Sequence, residues 1–207
     1  MLDLRGRALL GRVVDRLKLA SQVSKIVVAT SDQSDDQAIA EFCAREGIHC
    51  ARGSLDDVAT RFRRVVEDEA APAFVRISGD SPLIDPALVD RAIQSFLLGD
   101  CDLATNVQSR TFPRGQSVEV LLVETFVGAC DAMTTASQRE HVTRIYYEHP
   151  QDYRIRNFTS GLELGGINLS VDTPKDLAVI EAILERSGDA PGTWRDTSAA
   201  YEAVVTT

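Results

Sequence analysis

Basic residues are in short supply in this chain: 22 lysines and arginines stand against 31 aspartates and glutamates, for a net charge of −9. That balance argues against nucleic acid as a ligand, which needs a basic footprint. A small anion stays open to it wherever a metal ion or a few focused arginines reverse the local field. Cysteine is scarce as well. Cys43, Cys50, Cys101 and Cys130 lie far apart, with no CxxC pair and no interleaved histidine. A zinc site or a disulfide framework is therefore not expected, and reduced, mostly buried thiols are; His49 and His149 read as structural. No apolar run approaches the roughly 18 residues of a membrane helix. Asp3 and four arginines occupy the first residues, where a secretory signal would be apolar. No membrane partner and a cytoplasmic location are the expectations.

What is present is an alternation. With 44% hydrophobic and 26% charged residues over 207 positions, the chain reads as one domain, residues 1–207, with a Gly-, Pro- and Ser-rich tail from 188 and one short helix near 196–204. Residues 8–17 carry a helical apolar stripe; IVVAT (26–30) is a β-branched strand. A helix opened by Asp35 or Asp36 and ended by Gly47 follows, then a weaker strand (48–51) and the amphipathic segment LDDVATRFRRVVEDE. AFVRI (73–77), a loop (78–85) and a helix starting at Pro86 form a third unit, with a strand at 102–107. Further on, strands are expected at 118–123, 153–158 and 167–171, helices at 124–135 and 138–148, and a closing helix in TPKDLAVIEAILERS. Such alternation predicts an α/β fold with a mostly parallel sheet, whose ligands bind beyond the carboxyl ends of the strands. The loops at 31–35, 52–57 and 78–85 all leave such ends.

Two segments carry chemistry. In RISGDSPLID, a strand delivers Gly79 and Asp80 to the rim; glycine allows close backbone approach, and aspartate is a hard donor suited to Mg²⁺ on phosphate oxygens. In LSVDTPKDL, Asp172 ends a strand just ahead of a helix. Each aspartate has a plain alternative, a turn cap for Asp80 and a helix N-cap for Asp172. Two carboxylates on one rim suggest a metal clamp.

RGSLDDVATRF, RISGDSPLID, RTFPRGQSVEVL, SQREHVT and VDTPKDL stand in the order and spacing of the cytidylyltransferase superfamily. The sequence most resembles its SpsF-like, spore-coat-polysaccharide branch and is similar to acylneuraminate and 3-deoxy-manno-octulosonate cytidylyltransferases. The likeness runs from about residue 2 into the tail. It implies a three-layer α/β/α fold of the nucleotide-diphospho-sugar transferase type, with CTP and a sugar giving a CMP-sugar and pyrophosphate, for surface polysaccharide or nonulosonate synthesis. The cofactor it implies is Mg²⁺, held by Asp80 and Asp172 as catalytic and metal-binding residues. Thr30, Ser31, Asp32, Gly53, Ser54, Asp57 and Gly79 would line the nucleotide site; Gln116, Glu119, Arg139, Glu140 and His141 would meet the sugar. Plain alternatives remain: Arg139, Glu140 and His141 as a solvated helix start, Glu119 as the wet face of a strand, and Asp57 as a partner of a helix dipole. A homodimer is an open expectation.

The superfamily begins with a strand and a basic phosphate loop that this sequence lacks, and Ser117 stands where many relatives are acidic. Three readings follow: an active or formerly active cytidylyltransferase, a truncated non-catalytic homologue, or a glycosyltransferase of the same fold, for which GDSP is a poor match to a DxD motif.

Overall fold

The computed structural model describes residues 1–206. A short hairpin, β1 (Asp3–Leu4) and β2 (Arg7–Ala8), leads into helix α1 (Leu9–Leu17). Strand β3 (Val27–Ser31), helix α2 (Gln37–Glu46) and strand β4 (His49–Gly53) form a parallel pair in full register, Val27 opposite His49 and Ser31 opposite Gly53. Then come α3 (Val58–Glu69), β5 (Ala73–Arg76), α4 (Pro86–Leu97), β6 (Leu103–Thr105) and β7 (Glu119–Leu122). Helices α5 (Val123–Ala132), α6 (Ala136–Glu140) and α7 (Arg144–Glu148), strand β8 (Ile155–Asn157), α8 (Pro174–Ser187) and α9 (Trp194–Val205) complete the chain.

Strands β5, β7, β6 and β8 form one sheet in that order. Its side chains alternate between two cores. Val75, Ala104, Val118 and Val120 pack with Leu88, Ile180 and Trp194, whereas Phe74, Leu103 and Leu121 pack with Phe126 and Tyr146. Helices therefore cover both faces, which is the three-layer α/β/α arrangement. Among the described residues β3 is bonded along one edge, to β4, and β5 along one edge, to β7. The apolar side chains of both strands are only half buried.

Several expectations need correction. The four-stranded sheet is mixed: β7 runs antiparallel to both β5 and β6. No crossover helix lies between β6 and β7, so the chain turns back through the loop 106–118 and reverses direction. Buried Asn106 pins that return, donating from Nδ2 to the carbonyl of Gln116 and accepting the N–H of Val118 at Oδ1. The segment 167–171 makes only an isolated bridge, Asn168 with Arg114. The helix expected over 138–148 is two short helices, because buried Val142 adopts φ 51°, a left-handed conformation that stops a helix. The short helix expected near 196–204 is present as α9, which packs on α8 with Trp194 buried and its N–H donating to Asp85. His49 is paired with Glu69 at 2.8 Å. The four cysteines are free thiols, with Cys43, Cys101 and Cys130 buried and Cys50 half-buried. Burial pushes the Cys130 thiol up to about 12. None of the helices is long and apolar enough to cross a membrane among the described residues.

Candidate active site

The segments that carry Asp80 and Asp172 run side by side. The loop after β5 and the segment entering α8 are joined by a backbone hydrogen bond from Val171 N–H to the carbonyl of Asp80, 2.9 Å. Neither carboxylate is spent on capping. Helix α8 is capped by Thr173, whose hydroxyl accepts the Asp176 N–H, while Asp176 receives the N–H of Thr173 and completes the capping box. Asp172 is left exposed, its carboxylate touched by the Ser170 hydroxyl at 3.2 Å. Helix α4 is capped by Asp85, which leaves Asp80 bonded to its neighbour Ser81. The helix caps thus fall to neighbouring residues, Asp85 for α4 and Thr173 with Asp176 for α8. Two uncommitted carboxylates suit a hard cation that takes its remaining oxygens from phosphate and water.

Gln116 explains how the Asp80 loop is fixed. It is completely buried: its Oε1 accepts the N–H of Asp85 at 2.9 Å and its Nε2 donates to the carbonyl of Leu83 at 2.6 Å. An amide so engaged holds the loop and does not reach a ligand. Beside it, Gly115 lies against residues 169–170 so closely that a Cβ there would stand 2.5 Å from the Leu169 carbonyl carbon. The segments 78–85, 113–117 and 167–172 are thereby locked into one rim. Gly79 is exposed on that rim, with ordinary van der Waals room around it.

The residues that the sequence suggests for a nucleotide gather at the carboxyl ends of β3 and β4. Thr30 and Ser31 are buried and bonded to the carboxylate of Asp36, which turns back to the strand end and does not cap α2. These bonds, the one from Ser31 foremost, hold the Asp36 carboxyl below its ordinary value against the opposing effect of burial. The Asp32 N–H donates to the carbonyl of Gly53 and ties the two loops together. Ser54 accepts the N–H of Asp57, and Asp57 caps α3 through Thr60 and meets Arg139 at 3.3 Å. Burial opposes ionisation of Asp57, but the Thr60 bonds and Arg139 outweigh it, and its pKa is lowered. Asp32, Ser54, Asp57, Thr60, Arg61 and Arg64 line a cleft of about 630 Å³.

The remaining sequence-predicted residues divide. Glu119 is not on a wet face. It is 2% exposed, accepting from Tyr147 Oη and from Arg76 Nη1, both at 2.6 Å. Burial first, then the charge of Glu119, pushes the Tyr147 hydroxyl upward, so it serves as a donor. Arg139 pairs with Asp57 at the start of α3, while Glu140 and His141 are exposed at the end of α6.

Arg61 and Arg64 did not stand out in the sequence. The Nε of Arg61 is buried without a partner among the described residues, while its Nη1 donates to the carbonyl of Ser54. Gly53 leaves the space that the Arg61 stem fills, a Cβ at Gly53 falling 3.3 Å from Arg61 Cγ. Burial lowers the Arg61 pKa, against the pull of Asp36 and Asp32. The signal available was a cluster of arginines one helical turn beyond Asp57 in an acidic chain.

The comparisons with known proteins bear on the family and the fold. A family model described as cytidylyltransferase matches residues 1–189. Over 178 residues the chain is 33% identical to an uncharacterized protein of Methanocaldococcus jannaschii, covering 85% of this chain and 72% of that one. It is 28% identical over 169 residues to the spore coat polysaccharide biosynthesis protein SpsF of Bacillus subtilis, covering 80% and 69%. The structure of a cytidylyltransferase from Leptospira borgpetersenii superposes with a TM-score of 0.94 at 22% identity, over 99% of this chain and 87% of that chain.

Proposed function

Starting from a chain that belongs to the cytidylyltransferase family and is a nucleotidyltransferase, we propose that it joins CTP to a sugar, giving a CMP-sugar and pyrophosphate. The observation that carries this reading is that the segments bearing Asp80 and Asp172 are bonded side by side, with both carboxylates released from helix capping. The name of the SpsF relative supports surface-polysaccharide synthesis as the destination of the product, in the cytoplasm, where CTP is made available.

In this reading a sugar oxygen attacks the α-phosphorus of CTP and the bond to pyrophosphate breaks in line with it. Negative charge on the phosphate oxygens is the obstacle, so positioning and electrostatics supply most of the rate. Asp80 and Asp172 would hold Mg²⁺, which supplies Lewis-acid stabilisation of those oxygens when bound. Arg61 and Arg64 bring positive charge to the cleft at Asp32, Ser54 and Asp57, where the nucleotide would lie. Gln116 keeps the Asp80 loop in place from beneath. Arg139, tied to Asp57, links the nucleotide side to Glu140 and His141 on the acceptor side.

The test is pyrophosphate release by the purified chain with CTP, Mg²⁺ and a panel of acidic and neutral sugars, alongside thermal denaturation with CTP and Mg²⁺. A rise in melting temperature that Asp80→Asn abolishes, and turnover with at least one sugar, are expected. Neither a thermal shift nor turnover would leave a non-catalytic homologue as the better reading.

A further inference from the structure

A second cavity, of about 370 Å³, has Pro82 of the Asp80 loop in its wall. Four arginines, Arg5, Arg7, Arg12 and Arg16, line it together with Asp15 and Asp189. In a chain of net charge −9 this concentration calls for an account of which charges are already matched. Arg7 is fully engaged, with two bonds each to Asp15 and Glu46 between 2.9 and 3.0 Å. Arg12 is buried, gives Nη1 to Asp189, and spends its other nitrogens on the carbonyls of Leu4 and Arg5.

Arg16 and Arg5 are different. Arg16 is 8% exposed, yet its guanidinium bonds only to carbonyls, Nε to Ile84 and Nη2 to Gly192. Among the described residues it has no carboxylate at ion-pair distance, and its Nη1 carries no hydrogen bond. The nearest acid, Asp85, has its two oxygens taken by the N–H groups of Ala87 and Trp194. Burial presses the Arg16 pKa down, the sign of a cation that would gain from an anionic partner. Arg5 sits with Gly6 in the two-residue turn of the β1–β2 hairpin, at φ 56° and 78°. Such a turn favours Asn, Asp or Gly at both positions. A long cation in the first of them is costly to the backbone, and its side chain is exposed at the cavity with no ion pair among the described residues.

We propose that this cavity is a phosphate-binding site, in which Arg16 from the floor and Arg5 from the hairpin turn together hold a dianionic phosphate group. Two unmatched positive charges call for a dianion, and guanidinium groups pair with phosphate oxygens in a geometry that carboxylate-saturated arginines cannot offer. Leu184, Pro82 and Pro191 supply apolar walls that would accept the carbon part of a small phosphate ester. The site stands apart from the cleft at Asp32 and Arg61, and it does not depend on the reading of that cleft.

The experiment is calorimetric titration of inorganic phosphate, and separately of methyl phosphate, into the full chain. The buffer is free of divalent metal, and chloride at matched ionic strength serves as the control. Saturable binding is expected for the wild type and for Asp80→Ala. In Arg5→Gly the affinity should fall about tenfold while the melting temperature holds or rises, because glycine adopts the turn without strain. That combination separates a ligand contact from a structural one. Arg16→Gln should abolish binding, but it also removes two ties to the backbone, so Arg5→Gly is the deciding variant. Tighter binding of methyl phosphate than of phosphate identifies an ester as the ligand class; the reverse identifies the free ion. Equal phosphate affinity in Arg5→Gly and wild type, or an effect that chloride reproduces, overturns the proposal.

Discussion

The N–H of Val171 donates to the carbonyl of Asp80 at 2.9 Å, and through that one bond two segments distant in sequence bring their acidic residues to a common rim. The neighbouring aspartates do the structural work there. Asp176 and Asp85 complete helix caps; Asp172 and Asp80 do not.

That division predicts opposite phenotypes for two aspartates four residues apart. Asp176→Ala removes the capping-box partner of Thr173 and should cost about 0.5–2 kcal/mol of stability. Asp172→Ala leaves the cap intact and should change stability by less than about 0.5 kcal/mol. Its pyrophosphate release should nonetheless fall by about 10² or more, the usual scale for losing one electrostatic stabiliser. Urea unfolding and turnover on the same two variants decide the matter; equal turnover in both would remove Asp172 from the chemistry.

Gln116→Ala should be among the more damaging changes in the chain. It strands the Asp85 N–H and the Leu83 carbonyl in the core, and two buried unpaired groups together cost about 2–4 kcal/mol. A drop in the urea midpoint at unchanged slope is the expected observation. Full stability would mean that water replaces the amide and that Gln116 does not fix the loop.

How much of this was legible beforehand depended on whether a local pattern was decisive. The strand–helix alternation from 26 to 97 was readable because β-branched runs and apolar stripes repeat with clear periods, and Pro86 marked its helix start as expected. The reversal at β7 was not, since direction is set by the return loop pinned by Asn106, a long-range arrangement. Nor could a periodicity argument foresee Val142 at positive φ, where packing of a buried valine overrides the continuing helical pattern. Glu119 alternates with valines exactly as an exposed strand residue would; its burial follows from partners, Arg76 and Tyr147, that lie far away in sequence. Asp80 and Asp172 were legible as candidates, but their release from helix capping was not, because it depends on which nearby residue takes each cap, Asp85 for α4 and Thr173 with Asp176 for α8.

The glycines on the rim should respond unequally. Gly115 has φ 83°, and a Cβ there would stand 2.5 Å from a backbone carbon of residue 169. Strain in the left-handed region plus overpacking predicts a loss of about 3 kcal/mol for Gly115→Ala. At Gly79 the nearest atom to a new Cβ is Leu10 Cδ1 at 3.6 Å, an ordinary contact, so Gly79→Ala should fold normally. Thermal denaturation of the two variants side by side tests the contrast.

Acid should weaken the fold through Asp102. Its carboxylate accepts from Arg154 at 2.7 Å, from the Arg154 N–H and from Thr125, and these bonds, that of the Arg154 side chain foremost, lower its pKa in spite of burial. A carboxyl whose folded pKa lies below the unfolded value of 3.8 stabilises the protein above that value. The contribution disappears as pH falls through the folded pKa. Asp102→Asn should therefore be less stable than the wild type at pH 7, by about 1–2 kcal/mol with half-exposed Arg154 partly screened. The gap should narrow as pH falls below 3.8, which urea midpoints of both proteins measured across that range would show. A gap that persists unchanged at low pH would assign the effect to packing instead of charge.

Arg61 offers the sharpest separation of binding from folding. Its Nε is buried without a hydrogen bond among the described residues, and burial depresses its pKa, so the cation is held in the cleft at a cost that the fold does not recover. Replacing a desolvated charge by an apolar side chain of similar length is often neutral or stabilising. Arg61→Met should then keep or slightly raise stability in urea, while the melting-temperature rise produced by CTP should shrink by the equivalent of a tenfold or greater loss of affinity, about 1.4 kcal/mol or more. Arg61→Lys should recover little, because a point charge cannot reproduce the bond to the Ser54 carbonyl and a second contact to phosphate from one planar group. If Arg61→Met instead lowers stability and leaves the CTP response intact, Arg61 is a strut of the Ser54 loop and the nucleotide lies elsewhere.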